Sequence, residues 1–125
     1  MVKAKYQDVL NLGESLNVQN GDVTEDNGIL TIKGTTQTQY EKNLLWDKIK
    51  AIGGENPVDI KADIKVADTS VYHRHVVKSG ETLGKIAKHY YGDAMKYNDI
   101  FNVNTDILKN PDLIQPGQVL IIPNP

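Results

Sequence analysis

Two acids and three histidines are the side chains of this sequence whose chemistry and spacing could support a reaction. Glu81 and Asp112 are the kind of carboxylate pair that glycoside hydrolysis uses, but so small a module predicts no cleft to hold a substrate between them. His73 and His75 lie two residues apart on a predicted strand and share a face, whereas the spacing does not bring His89 to them as a third metal ligand. No cysteine, HExxH motif, nucleophile elbow or phosphate-binding loop is present. The sequence therefore predicts no catalytic residue, histidines that serve packing or the surface, and no identifiable metal ligands.

Charge and hydrophobicity exclude several classes of partner. The 125 residues carry 14 Lys and Arg against 16 Asp and Glu, a net charge of −2, and neither half is strongly basic. This balance of charges argues against nucleic acid and anionic membrane surfaces as binding partners. No run reaches the roughly 20 apolar residues of a membrane span. Residues 1–6 lack the apolar core of a signal peptide, so the sequence as written predicts a cytoplasmic protein, or a periplasmic or cell-wall protein if a leader was removed.

The second half of the chain alternates strand and helix patterns. A β-branched run around Val76 ends at Ser79-Gly80, a pair that suits a sharp turn. Two helical stripes follow, and Gly92 and Asp93 between them predict a helix stop and a helix cap. The stripe residues are Leu83, Ile86, Ala87 and Tyr90 in the first helix and Tyr97, Ile100 and Phe101 in the second. With a closing strand at Val119–Ile122, these elements predict a domain over 71–125, a two-stranded antiparallel sheet with two helices on one face.

Three motifs in this half resemble those of the LysM family, a small sugar-binding module of bacterial cell-wall proteins. VKSGETL resembles the strand-turn-helix opening, YYGDAMKYNDIFNVN the segment between the helices, and LIQPGQVLIIP the closing loop and strand. The resemblance covers Val71 to about Pro123. His75 stands where the family usually has an aromatic residue, often tyrosine. The resemblance implies a βααβ fold and a non-catalytic binding function.

The LysM resemblance also implies a shallow groove for N-acetylglucosamine-containing glycan, such as peptidoglycan or a chitin-like polymer. The groove would lie between the first turn and the loop before the last strand. Backbone groups there would contact the N-acetyl amide, and an apolar shelf would contact the sugar face. One wall would comprise Ser79, Gly80, Glu81, Thr82 and Leu83, and the other Leu113, Ile114, Gln115, Pro116 and Gly117. The alternative is that both glycines serve turns only and that Leu83 and Ile114 only fill the core.

The first half predicts a second small domain over 1–67. A helical stripe runs from Val2 to Leu16, and Asn27-Gly28 is a strong hairpin signal. A helix over 39–52 and a strand over 58–66 follow, before a short polar seam at 67–70. This order of helix, hairpin, helix and strand resembles the BON domain of bacterial proteins. Together the two halves predict an α+β protein of two small domains, BON-like and then LysM.

A bacterial potassium-binding family shares the BON-then-LysM order, which implies a second possible function. The ion would change the packing between the two domains. Potassium is held mainly by backbone carbonyl oxygens, so such a site leaves almost no signature in residue types. The turns at 20–22 and 25–28 carry oxygens but lack calcium-loop spacing, and no potassium ligands are named. Potassium is the one possible cofactor. Trp46 is expected to be either an edge-of-core residue or a contact for a protein partner.

Overall fold

The computed structural model describes residues 2–125, so Met1 of the predicted first domain lies outside the described residues. The chain forms two compact units, divided between Thr69 and Ser70. Each unit combines helices with its own small sheet. This arrangement confirms the predicted α+β class.

Two short helices open the first unit, where the sequence pattern predicts one. Helix α1 covers Val2–Lys5 and helix α2 covers Gln7–Ser15. The break falls at Tyr6, which is fully buried and whose hydroxyl donates a 2.5 Å hydrogen bond to Asp59. Lys5 pairs with the other oxygen of the same carboxylate at 2.6 Å. Asp59 therefore ties the start of the chain to the segment before the third strand.

The sheet of the first unit has the order β1-β2-β3 and is mixed. Strand β1 (Gln19–Asp26) pairs antiparallel with β2 (Ile29–Thr36) across the Asn27-Gly28 turn. Both turn residues have positive φ, 52° and 76°, which is why the Asn-Gly sequence predicts this hairpin correctly. Strand β3 (Ile60–Val66) pairs parallel with β2, because helix α3 (Gln39–Gly53) carries the chain back so that both strands run in the same direction.

The predicted strand over 58–66 is too long at its start. Val58 lies outside β3 and is 88% exposed. The first paired residue of β3 is Ile60, opposite Leu30, and the Leu30 amide donates to the Asp59 carbonyl at 2.9 Å. Beyond that point β2 has reached its hairpin turn and has no residue left to pair with Val58.

Helix α3 covers Gln39–Gly53, in close agreement with the prediction. Thr38 caps its start: its hydroxyl accepts from the Glu41 amide, and the Glu41 carboxylate accepts from the Thr38 amide. Trp46 is partly buried against the core, as expected of an edge-of-core tryptophan. Helices α2 and α3 and the sheet contribute to a core of Tyr6, Val9, Leu30, Ile32, Leu45, Ile49, Ile60 and Ile64.

In the second unit, the first and last strands pair as predicted. Strand β4 (His73–Val76) and strand β5 (Val119–Ile122) form an antiparallel sheet in which His75 faces Leu120. Helix α4 covers Leu83–Tyr91, with Thr82 as its cap and Gly92 in the left-handed conformation at its end. These positions agree with the sequence pattern.

The second helix begins later than predicted. Asp93 caps a 3₁₀ turn at Ala94–Lys96 rather than the helix itself, its carboxylate accepting from the Met95 amide at 2.9 Å. Helix α5 then covers Tyr97–Asn102. The core between these helices and the sheet comprises Val77, Leu83, Ile86, Ala87, Ile100, Leu108, Leu120 and Ile122.

Asn104 fastens the segment after α5 to the closing strand. It is 3% exposed, and its amide nitrogen donates to the carbonyls of Ile100 and Ile121 at 2.7 and 2.8 Å. Its oxygen accepts from the Ile121 amide at 2.8 Å. The side chain thus makes the two hydrogen bonds to Ile121 that a neighbouring strand would make.

Candidate functional site

A cleft in the second unit brings the two predicted walls of the groove together. Its volume is about 550 Å³, and it lies between the turn before α4 and the loop before β5. The lining residues are Glu81, Thr82, Leu83, Gly84, Tyr97, Pro111, Asp112 and Ile114. A cleft of this size falls in the range of small-molecule sites, about 300–1,000 Å³.

Four of the ten predicted groove residues line this cleft, namely Glu81, Thr82, Leu83 and Ile114. The other six, Ser79, Gly80, Leu113, Gln115, Pro116 and Gly117, belong to the adjoining turns without lining it. The predicted groove did not include Gly84, Tyr97, Pro111 or Asp112, although Asp112 was considered as a carboxylate partner of Glu81. The signal for Tyr97 was present in the stripe of α5, where its position at the first turn of the helix directs it to the edge of the core.

The first wall is a tight turn held by Glu81. The Glu81 carboxylate accepts from the Lys78 amide at 2.6 Å and so closes the turn over residues 78–81. Gly80 in that turn has φ +86°, a conformation that other residues adopt only with strain. Thr82 then accepts from the Lys85 amide at 3.2 Å and starts α4. The wall is therefore built of local hydrogen bonds between turn and helix cap.

The opposite wall is a second turn, at 110–113. The Asn110 side chain accepts from the Asp112 amide at 2.9 Å, and its carbonyl accepts from the Leu113 amide at 3.1 Å. This turn places Pro111 and Asp112 at the cleft while Leu113 is 62% exposed. Ile114 packs partly against the core and supplies an apolar surface. The cleft thus combines apolar faces with two carboxylates.

His75 joins the first wall to helix α4. One ring nitrogen, Nε2, lies 2.8 Å from the Glu81 carboxylate, and the other, Nδ1, lies 2.7 Å from the Tyr90 hydroxyl. The side chain of His75 is 14% exposed and that of Glu81 26%. Burial pushes the pKa of Glu81 upward, but hydrogen bonds from His75 and the Lys78 amide outweigh it and hold this pKa below its usual range.

The structure corrects one expectation, that no cleft would hold Glu81 and Asp112. Both carboxylates line the same cleft. The lowered pKa of Glu81 keeps it ionised, so it is an acceptor of hydrogen bonds rather than the proton donor that glycoside hydrolysis requires. The arrangement suits binding of hydroxyl and amide N–H groups.

The three histidines gather around one tyrosine ring. The rings of His73, His75 and His89 lie 5.7, 5.5 and 4.8 Å from that of Tyr90 between centroids. Burial lowers the pKa of His73, with further contributions from the charges of His75, Arg74 and His89. Over residues 2–125, no group of three or more His, Cys, Asp or Glu is arranged to hold a metal ion. The three histidine rings pack against Tyr90 as one aromatic group.

The first unit contains a smaller, largely apolar cavity of about 170 Å³. It lies between α2 and the sheet, with Val18 packed against Gly34 at its rim. Of the turns that carry oxygens, residues 20–22 lie in β1 at a register irregularity between Gln19 and Asp22. Residues 25–28 form the β1–β2 hairpin end. Sequence reasoning did not predict the cavity, because its walls come from elements distant in the chain.

In the part of the chain that the structure describes, no helix has the length and apolar character needed to cross a membrane.

Residues 75–123 match the LysM domain family. The chain is also 37% identical over 110 residues to the potassium binding protein Kbp of Escherichia coli O6:H1, an alignment that covers 88% of this chain and 70% of that protein. An uncharacterised protein of Deinococcus radiodurans is 37% identical over 115 residues, covering 82% of this chain. This chain spans only 44% of the length of the Deinococcus protein.

The fold of the second unit and the family match define a LysM-containing protein. Because the similarity to Kbp extends over most of both chains, this chain belongs to the Kbp family.

Proposed function

We propose that this chain is a non-catalytic binding protein that binds potassium. The observation that supports this function is the similarity to a protein named for potassium binding, which covers 88% of this chain. The LysM match alone covers residues 75–123. An alignment that includes the first unit supports a function of the whole chain rather than of one module.

Potassium would act by linkage. An ion that binds one arrangement of the chain shifts the population toward that arrangement in proportion to its differential affinity. Binding to the folded state also stabilises it, by about 2.7 kcal/mol when the free ion is at 100 times its dissociation constant. We expect backbone carbonyl oxygens as the ligands, because these hold large monovalent cations.

The test compares salts at equal ionic strength. The full chain is melted in KCl, NaCl and choline chloride, and its backbone amide spectrum is titrated with K⁺ against a constant background of Na⁺. A higher Tm in KCl and saturable shifts of a limited set of amides are expected. The same Tm and the same spectrum in K⁺ and Na⁺ would contradict potassium binding.

A second function, recognition of N-acetylglucosamine-containing glycan, is supported by the cleft of the LysM unit. Two segments that the LysM resemblance implicates, residues 81–83 and Ile114, lie on facing sides of it. Tyr97 and Ile114 provide apolar surface for the CH face of a sugar, and Glu81 and Asp112 accept its hydrogen bonds. One shallow module should bind weakly, since avidity requires several copies.

Titration with chitotetraose, followed by amide shifts, tests the glycan function. We expect shifts at Thr82 and Gly84, and weaker binding in a Tyr97→Ala variant. Leu113→Ala is the matched control, because Leu113 is exposed in the adjoining turn without lining the cleft. Loss of affinity in the control alone, or no shift at any cleft amide, would count against this function.

We propose the cytoplasm as the compartment. A chain without cysteine is compatible with reducing conditions. Recovery of the native protein from the periplasmic fraction of its cells would contradict this location.

A further inference from the structure

His75 is the residue at which this chain departs from the usual LysM pattern, and it contacts the cleft wall. It lies on β4, yet its side chain reaches Glu81 in the turn and Tyr90 on α4, at 2.8 and 2.7 Å. The usual aromatic residue could pack here but could not carry a charge. The substitution therefore introduces a titratable group behind a residue that lines the cleft.

The proton positions in this chain of three side chains follow from what each group can do. Glu81 is ionised and only accepts hydrogen bonds, so His75 Nε2 carries a hydrogen and donates it. In neutral His75, Nδ1 is then the acceptor and the Tyr90 hydroxyl donates to it. When His75 is protonated, Nδ1 donates to the Tyr90 oxygen instead. Both states fit the same positions of the heavy atoms.

Protonation changes the strength of one bond in this chain. The hydrogen bond from Nε2 already has an ionised acceptor in Glu81, and protonation of the ring adds the attraction of an ion pair to it. The same Glu81 oxygen accepts from the Lys78 amide at 2.6 Å. Fixing the carboxylate therefore fixes the turn over residues 78–81, the first wall of the cleft.

We propose that Glu81 is the acceptor that selects a sugar ligand in the cleft and that His75 is its positioning residue, so that affinity rises as His75 is protonated. This inference rests on the second proposed function, glycan binding. The Glu81 side chain keeps 26% of its exposure and so remains accessible to a ligand. The ligand class is a neutral sugar with hydroxyl and amide N–H donors.

The other ionisable groups around His75 come from three elements. Strand β4 itself contributes His73 and Arg74, the turn contributes Lys78, and α4 contributes His89 and Tyr90. Strand β5 places Leu120 opposite His75 and contributes no ionisable group. Glu81 is thus the anion that contacts the ring.

The test uses the full chain between pH 6 and pH 8, a range in which an ordinary histidine titrates and a carboxylate does not. Long-range ¹H–¹⁵N spectra of the imidazole follow His75, and backbone spectra follow the Lys78 and Glu81 amides. Without ligand, we expect these two amides to titrate with the midpoint of His75. Chitotetraose should bind about two- to fivefold more tightly at pH 6 than at pH 8, the effect of one partly exposed ion pair.

Three variants separate the interpretations. His75→Phe should remove both the amide titration and the pH dependence of affinity, and His75→Tyr, the usual family residue, should do the same if the first variant fails to fold. Glu81→Gln should weaken binding at both pH values and remove its pH dependence. His89→Phe is the matched control, since it keeps a ring against Tyr90, and it should leave the pH dependence intact.

Two outcomes are distinguishable. If chitotetraose binds at neither pH, the glycan function fails, and flat Lys78 and Glu81 amides would also overturn the coupling to His75. If the sugar binds equally at both pH values, or keeps its pH dependence in His75→Phe, glycan binding stands and the role of His75 is overturned.

Discussion

At the scale of single residues, Asn104 is the buried polar side chain with the clearest structural role. Its side chain bonds to backbone groups, two carbonyls that accept from its nitrogen and one amide that donates to its oxygen. An alanine at this position would leave the Ile121 amide and carbonyl without those partners in a buried setting. The cost of an unsatisfied buried group is about 1–3 kcal/mol.

We predict that Asn104→Ala lowers the free energy of unfolding of the second unit by about 3 kcal/mol, because one substitution removes several buried hydrogen bonds. Asn102→Ala, at an exposed position on α5, is the matched control and should change stability by less than about 0.5 kcal/mol. Urea unfolding, followed through the NMR signal of the Leu120 amide, measures the free energy of unfolding of both variants. Equal effects in the two variants would show that Asn104 has no special role.

The lowered pKa of His73 predicts a pH dependence of stability. Burial is its largest cause, followed by the charges of His75, Arg74 and His89. Because the unfolded chain binds the proton more readily, stability should fall as pH drops below the ordinary histidine value of 6.5 toward the lower folded pKa. At pH values well above 6.5, the contribution of His73 to the free energy of unfolding is constant.

Urea unfolding of the second unit at pH 7.5 and 5.5 tests this dependence, and comparison with His73→Phe isolates it from the other histidines. The variant should lose less stability on acidification than the native chain. Trp46 fluorescence reports the first unit in the same samples, since it is the single tryptophan. An identical loss in both chains would contradict the assignment to His73.

The roles of single residues were only partly predictable. The sequence predicted that His73 and His75 share a face, because strand alternation is local. It did not predict that Tyr90 brings His89 to them, or that Asn104 bonds to Ile121, since these contacts join elements that only the folded unit brings together.

At the scale of elements, caps and turns determine where each helix and strand begins. The reciprocal hydrogen bonds of Thr38 and Glu41 start α3, and the Asn27-Gly28 turn fixes the register of β1 with β2. The Asn27-Gly28 signal is local in sequence and predicted the hairpin, whereas α3 was predicted from its hydrophobic spacing and the Gly53-Gly54 stop. Strand β3 was predicted too long because its start depends on where its partner ends.

We predict that Thr38→Ala destabilises the first unit by about 1 kcal/mol, within the range of about 0.5–2 kcal/mol for loss of a helix cap. Thr82→Ala removes the corresponding cap of α4 and should destabilise the second unit instead. Trp46 fluorescence and the Leu120 amide distinguish the two units during unfolding. A Thr38→Ala chain whose Trp46 transition is unchanged would show that the cap adds nothing to stability.

At the scale of the whole molecule, two separate cores argue for two domains. One core draws on residues 6–64 and the other on residues 77–122, in the two compact units that divide between Thr69 and Ser70. The domain boundaries at 1–67 and 71–125, inferred from a change of pattern at a short polar seam, stay a prediction. The sequence did not predict the cleft in detail. Of the ten groove residues implied by the LysM resemblance, six belong to turns beside the cleft and do not line it.

We predict that a fragment of residues 70–125 folds alone, because its core and sheet are formed within it. Its amide spectrum should be well dispersed, as expected of a folded domain. Because a domain this small buries only a modest fraction of its surface on folding, the fragment should melt at a lower temperature than larger domains. Collapsed, poorly dispersed amides would contradict two independently folding units.

Strand β1 has a consequence for the behaviour of the protein in concentrated solution. All eight of its residues are exposed, and within residues 2–125 no strand pairs with its outer edge. Such an edge can recruit a strand from another molecule. Asp22, Glu25 and Asp26 place negative charges along it, and like charges repel when two such edges approach. Colloidal stability therefore depends on these carboxylates, and replacing them with the neutral amides Asn and Gln would remove the barrier to fibrous self-association.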